Sequence, residues 1–121
     1  MGKILELYQN TLDCPVRTVL DRIGDKWSML AILILGEEET MRFNELQKSM
    51  KDISQKMLTV TLRKLESDGL VNRTIFPEIP PRVEYNLTER GHSLLPHIHG
   101  LSTWANENIA GIKESREKAT N

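Results

Sequence analysis

A chain of 121 residues has the usual length of one domain, and a single cysteine excludes a disulfide scaffold and fits a reducing compartment. The net charge of −1 excludes a uniformly basic nucleic-acid binder. The most apolar segment, Trp27 to Leu35, is far too short to span a bilayer, and the start MGKILELYQNTLD lacks the long apolar run of a secretory signal, so a cytoplasmic location is expected.

The first expected element is a helix over about 3–13, with Ile4, Leu5, Leu7, Tyr8 and Leu12 as its apolar face. Pro15 is favoured at the first position of a helix, which places Cys14 at its N-cap. There a thiolate would feel the positive end of the helix dipole and Arg17 one turn on, opposed by Asp13. A small, inert, packed side chain is the plainer reading of Cys14. Glu37-Glu38-Glu39 is expected to be a solvated loop.

From Arg42 to Met50 the spacing of Phe43, Leu46 and Met50 predicts a short helix. Lys51 and Asp52 form a brief link, and Ile53 is expected to plug the core beneath it. Ser54 is a good N-cap for a second helix, since its hydroxyl can accept from a free amide of the first turn; Met57 rules out a full capping box. Leu58, Leu62 and Leu65 form the inward stripe, and Gln55, Lys56, Thr59, Arg63 and Lys64 lie off it. Gly69 supplies the left-handed stop. Two helices across a short turn, the second polar outside, make a helix-turn-helix.

Past Gly69 the period changes. Leu70 to Phe76 is rich in β-branched residues, and Arg82 to Leu87 alternates, with Val83, Tyr85 and Leu87 inward. Three prolines within Pro77–Pro81 force an exposed turn between the two strands, and the pair reads as a β-wing. The last element is a helix over about 92–113, with Leu94, Leu95, Ile98, Leu101, Trp104, Ile109 and Ile112 near helical spacing. Pro96 is expected to kink or start it, and the polar tail from Lys113 to fray.

Charge is unevenly placed. Met1 to Glu39 is net −3, Thr40 to Arg90 net +2, and the remainder neutral. The helix-turn-helix and wing are therefore locally basic, and the local field governs phosphate contact. Ser54, Gln55, Lys56, Thr59 and Arg63 are candidates to touch bases or nearby phosphates, Arg82 to enter the minor groove, and Arg73 and Lys64 to hold phosphate. His97 and His99 stand two apart, which points them to different sides of a helix, so no metal site is expected. No glycine-rich phosphate loop, nucleophile elbow or paired-acid motif is present, so neither catalysis nor a cofactor is expected.

Several motifs in this order resemble those of the HxlR-type transcriptional regulators, relatives of the MarR-like winged-helix proteins. They are Cys14-Pro15-Val16, Ile23-Gly24-Asp25-Lys26-Trp27, Arg42-Phe43-Asn44-Glu45-Leu46, Ile53 to Thr59, Leu62 to Glu66, Asp68-Gly69-Leu70-Val71 and Pro80 to Thr88. Asp25 departs from the glycine of many relatives and Phe76 from their tyrosine; the first change bears on the approach to the helix that follows. The resemblance implies a mainly α fold with a small antiparallel β-wing. It implies one winged helix-turn-helix domain over 1–121, with a DNA-binding unit at about 40–90 and dimerisation helices at about 3–13 and 92–113. Leu5, Tyr8 and Ile98 are expected at that dimer interface, with Leu101, Trp104 and Ile112 facing the partner chain. A two-fold dimer on operator DNA, acting as a repressor, is the implied function. Relatives that sense electrophiles or oxidants through a cysteine at this position make Cys14 a redox-sensing candidate. With one cysteine per chain, sensing needs an intersubunit bond, a mixed disulfide or an adduct. The competing reading is a winged-helix module that binds protein, which would want apolar or acidic residues on the outer helix face.

Overall fold

The computed structural model describes Glu6 and residues 14–120. In chain order it contains α1 (Pro15–Ile23), α2 (Lys26–Glu38), β1 (Met41–Arg42), α3 (Phe43–Met50), α4 (Gln55–Ser67), β2 (Val71–Phe76), β3 (Arg82–Leu87) and α5 (Glu89–Thr120). Apart from Glu6, the expected helix over 3–13, with Leu5 and Tyr8, lies outside the described residues.

The apolar segment that is too short for a membrane becomes the central helix. Ala31, Ile32 and Leu35 of α2 are fully buried, among Leu46, Leu58, Leu65 and Val71 from the elements around them. Asp25 starts α2 as its N-cap and accepts from the Ser28 amide at 2.9 Å and from the Ser28 hydroxyl at 2.7 Å. Those bonds satisfy the buried Ser28. Glu37 and Glu38 are exposed but belong to the end of α2, and only Glu39 lies past it, at φ 70. The loop expected there is thus mostly a last helical turn.

The helix-turn-helix follows its pattern closely. The Arg42 amide donates to the Glu45 side chain at 2.8 Å and opens α3. Ile53, 5% exposed, plugs the core below the turn. Ser54 caps α4 by accepting from the Met57 amide at 3.0 Å. Leu58, Leu62 and Leu65 point inward as the stripe requires, and Thr61 joins them.

The sheet has three strands, not two. β1 is a two-residue strand that pairs with β3, Met41 opposite Tyr85 and Arg42 opposite Glu84, giving the order β1-β3-β2. Two residues carry too little alternation to signal a strand; a partner makes them one. β2 and β3 are antiparallel, with Val71 opposite Leu87 and Phe76 opposite Arg82.

A compact joint links the end of α4 to the start of α5. Gly69 has φ 73, a conformation that favours glycine, and a Cβ there would stand 2.4 Å from the Arg90 guanidinium. The Leu70 amide returns to the Leu65 carbonyl at 2.9 Å, closing the helix end. The Thr88 hydroxyl donates to the Gly69 carbonyl at 2.6 Å and accepts from the Gly91 amide at 3.0 Å, so one side chain caps α5 and pins α4 to it.

α5 is longer than expected. It runs unbroken for 32 residues, with Pro96 inside it rather than at its start. The tail expected to fray from Lys113 remains helical to Thr120. Residues 94, 95 and 98 pack on the core, and the second half of α5 projects beyond it.

Candidate nucleic-acid interface

The 3.6-residue period of α4 sets its outer face. With Leu58, Thr61, Leu62 and Leu65 buried, the opposite side carries Lys56, Val60 and Arg63, flanked by Gln55 and Thr59. Gln55, Lys56 and Arg63 are exposed, and among the described residues neither cation lies in an ion pair. The Thr59 hydroxyl donates to the Gln55 carbonyl at 2.9 Å, leaving its lone pairs to accept. Ser54 is exposed at the mouth of the helix, but its oxygen serves the cap. Val60, 51% exposed, was missed by the sequence reasoning, which looked only for polar residues. Its position four residues after Lys56 and three before Arg63 is the signal that would have found it. An apolar side chain on such a face suits a thymine methyl.

Between α4 and the sheet lies a cleft of about 300 Å³ lined by Gln55, Thr59, Arg63, Glu66 and Arg73, with Phe43 and Tyr85 at its floor. Arg73 on β2 is thus brought beside Arg63, although ten residues separate them in sequence. Two arginines and one glutamate therefore line one cleft at the edge of the helix, a wall of net positive charge.

Comparisons with known proteins agree with this geometry. The profile described as HxlR-like helix-turn-helix matches residues 22–113. An uncharacterized HTH-type transcriptional regulator of Methanothermobacter thermautotrophicus is 43% identical over 106 residues, which span 88% of this chain and 80% of that protein. This chain belongs to the HxlR-like helix-turn-helix family. Among solved structures, ytfH from Salmonella typhimurium, described as a transcriptional regulator, superposes with a TM-score of 0.78 at 36% identity, covering 88% of this chain and 94% of that one. The redox regulator HypR in its oxidized form gives 0.73 at 41% identity, covering 78% and 97%.

Within this family fold, two cations named from the sequence are not free. Lys64 was expected to hold phosphate; instead its Nζ sits 2.7 Å from Asp25 Oδ2. It lies on the flank of α4 that faces α2, so the 3.6 period turns it away from Lys56 and Arg63. Burial raises the Asp25 carboxyl's affinity for its proton, but the bonds from Lys64 and Ser28 outweigh this and hold it at about 2. Arg82 was expected to reach the minor groove. Its Nη1 lies 3.1 Å from Glu78, its Nε 3.2 Å from Glu84, and its guanidinium stacks 4.1 Å from the centre of the Phe76 ring. The wing therefore neutralises its own arginine, and Ile79 stands fully exposed at the tip.

The C-terminal end of α4 is also tied. Arg22 of α1 donates to Asp68 Oδ2 at 2.8 Å and to the Ser67 hydroxyl at 3.1 Å. The bond to Asp68 raises the Arg22 guanidinium above its ordinary range. From α5, Arg90 donates to the Asp68 carbonyl at 3.0 Å. Two guanidinium groups at a helix C-terminus also suit the negative end of its dipole.

Cys14 is the N-cap residue of α1, with Pro15 following, and its carbonyl accepts from the Thr18 amide and hydroxyl, both at 3.0 Å. Its thiol is 1% exposed and makes no capping bond. Along α5, Leu101, Trp104 and Ile109 are roughly half exposed. Ile98, expected at the dimer interface, is instead 5% exposed and packs within the intrachain core. His92, His97 and His99 are all exposed, and among the described residues no group of three or more His, Cys, Asp or Glu is placed to hold a metal ion. Among the same residues no helix is long and apolar enough to cross a membrane.

Proposed function

We propose that this protein is a sequence-specific DNA-binding regulator of transcription that acts as a dimer in the cytoplasm and represses by occluding its operator. The observation that carries the reading is the pair Lys56 and Arg63 on the outer face of α4, exposed and in no ion pair among the described residues, with Arg73 lining the same cleft as Arg63. In a two-fold dimer, two such helices enter successive major grooves about 34 Å apart. Gln55 suits adenine and Arg63 or Lys56 suits guanine, with Ser54 and Thr59 placed for bases or nearby phosphates and Arg73 for phosphate. Leu101 and Trp104, half exposed on the projecting end of α5, supply an apolar surface for the partner chain. The reading assigns the protein no catalysis.

Fluorescence anisotropy on the promoter beside the protein's own gene tests the reading, with sedimentation analysis in parallel. A discrete salt-sensitive complex of one dimer is expected. Replacing Leu101 and Trp104 with glutamate should give monomers that lose it. Failure to bind any duplex, with retention of a protein ligand, would establish the protein-interaction module instead.

Cys14 is the candidate for receiving a redox signal. The likeness to HypR, a redox regulator, favours it, and burial of the thiol at the start of α1 opposes ready access. Diamide should lower operator binding by the wild type and leave Cys14→Ser unaffected. Equal binding before and after oxidation would make Cys14 a packing residue.

A further inference from the structure

Behind the recognition helix, α1, the exit of α4 and the first turns of α5 line an open hollow of about 460 Å³, within the range of small-molecule sites. Its wall is mostly apolar, formed by Val19, Ile23, Leu70 and Leu94. Arg22, Arg90 and His97 stand around it, with Asp68 as its one carboxylate. Arg22 already holds that carboxylate. Arg90 does not: its Nη1 donates to a backbone carbonyl, and among the described residues it lies in no ion pair. A guanidinium offers five donors in a planar fork that matches a carboxylate, so Arg90 retains most of its capacity beside an apolar wall.

We infer that this hollow binds a small organic anion, a single carboxylate on an apolar body. The carboxylate meets the Arg90 fork, with His97 nearby, and the body lies against Val19, Ile23 and Leu94. The site touches the same Asp68 that ends α4. An anion that draws Arg90 off the Asp68 carbonyl removes one of the polar links between the exit of α4 and the helices behind it. Ligand and operator then compete through the setting of the recognition helix; this coupling rests on the DNA-binding reading, whereas the site itself does not.

Calorimetry on the full chain without DNA tests the site, using 2-naphthoate as probe and 2-naphthalenemethanol as its neutral counterpart. One saturable site per chain is expected for the acid. Arg90→Gln should weaken it about tenfold, the effect of one charge-assisted bond. Ser93→Phe, at the edge of the hollow, should abolish binding by filling it while leaving Arg90 in place, which guards against a folding defect in the first variant. Saturating 2-naphthoate should lower operator affinity about fivefold or more. Equal binding of acid and alcohol, wild-type binding by Arg90→Gln, or no heat at all would each overturn the site. Binding that appears only in a monomeric Leu101→Glu variant would show that a second copy fills the hollow, and would overturn it too. Arg90-dependent binding with unchanged operator affinity would overturn the coupling alone, and failure to bind any DNA would count against the regulatory reading and not the site.

Discussion

Two faces of α4 carry similar residues to different purposes. On the outer face, Lys56 and Arg63 stand exposed with no carboxylate partner among the described residues. On the inner flank Lys64 is held by Asp25, and at the last turn Ser67 and Asp68 are held by Arg22 and the Asp68 carbonyl by Arg90. One face is left for a polyanion and the other side is fastened to the body. Arg63 and Lys64 are adjacent in sequence, yet a 100° step around the helix separates a free charge from a tied one. Counting cations along a helix therefore overstates its interface, because some of them hold the helix in place.

The largest expected effect lies on the free face. Lys56→Ala or Arg63→Ala should cost about 1–3 kcal/mol of operator binding where the contact is to a base, with the melting temperature unchanged. Wild-type affinity in both variants would break the comparison at once. On the tied flank the effect should be on stability. The Asp25 carboxyl is held at about 2, below its ordinary 3.8. A depressed carboxylate contributes stability that is fully present above 3.8 and lost as pH falls toward about 2. Because its side chain is 41% exposed, solvent screening reduces that contribution to about 1 kcal/mol. Asp25→Asn should lose this much at neutral pH in denaturant melts and show a flatter stability profile between pH 4 and 2, by the same linkage. Lys64→Ala should behave alike and bind operator nearly as the wild type does. A loss of binding as large as that of Arg63→Ala would place Lys64 in the interface.

The smallest effect is expected at the wing. A free arginine on phosphate would change the salt slope by about one unit when removed. Arg82, paired with Glu78 and Glu84, should change it by clearly less, and Glu78→Gln should tighten binding by releasing it. A full-unit change in Arg82→Ala would show that DNA draws the arginine off its carboxylates.

Much of this was legible before the structure because it depends on neighbours in sequence. Ser54, the Leu58–Leu62–Leu65 stripe and Gly69 mark a helix by local hydrogen bonds and period, and each takes its expected place. Val83, Tyr85 and Leu87 follow from alternation, and all turn inward in β3. Pro96 does not start α5, as one local reading of a proline allowed, but lies inside it. The neighbouring Leu94, Leu95 and Ile98 pack on the core and keep one continuous helix through it. Val60 is marked by its position between Lys56 and Arg63 rather than by polarity.

The sequence by itself determined the order of the helix-turn-helix and the two wing strands, the Ser54 and Gly69 ends of α4, and the outward aim of Lys56 and Arg63, since these rest on contacts within a few residues. Only the tertiary structure decided which charges remain available. Lys64 meets Asp25 across 39 residues, and Arg22 meets Asp68 across 46. The added strand β1, the burial of Ile98 and the hollow behind α4 are likewise products of packing. Coulomb attraction acts on distance in space, and no local pattern in a chain states which distant carboxylate a lysine will find.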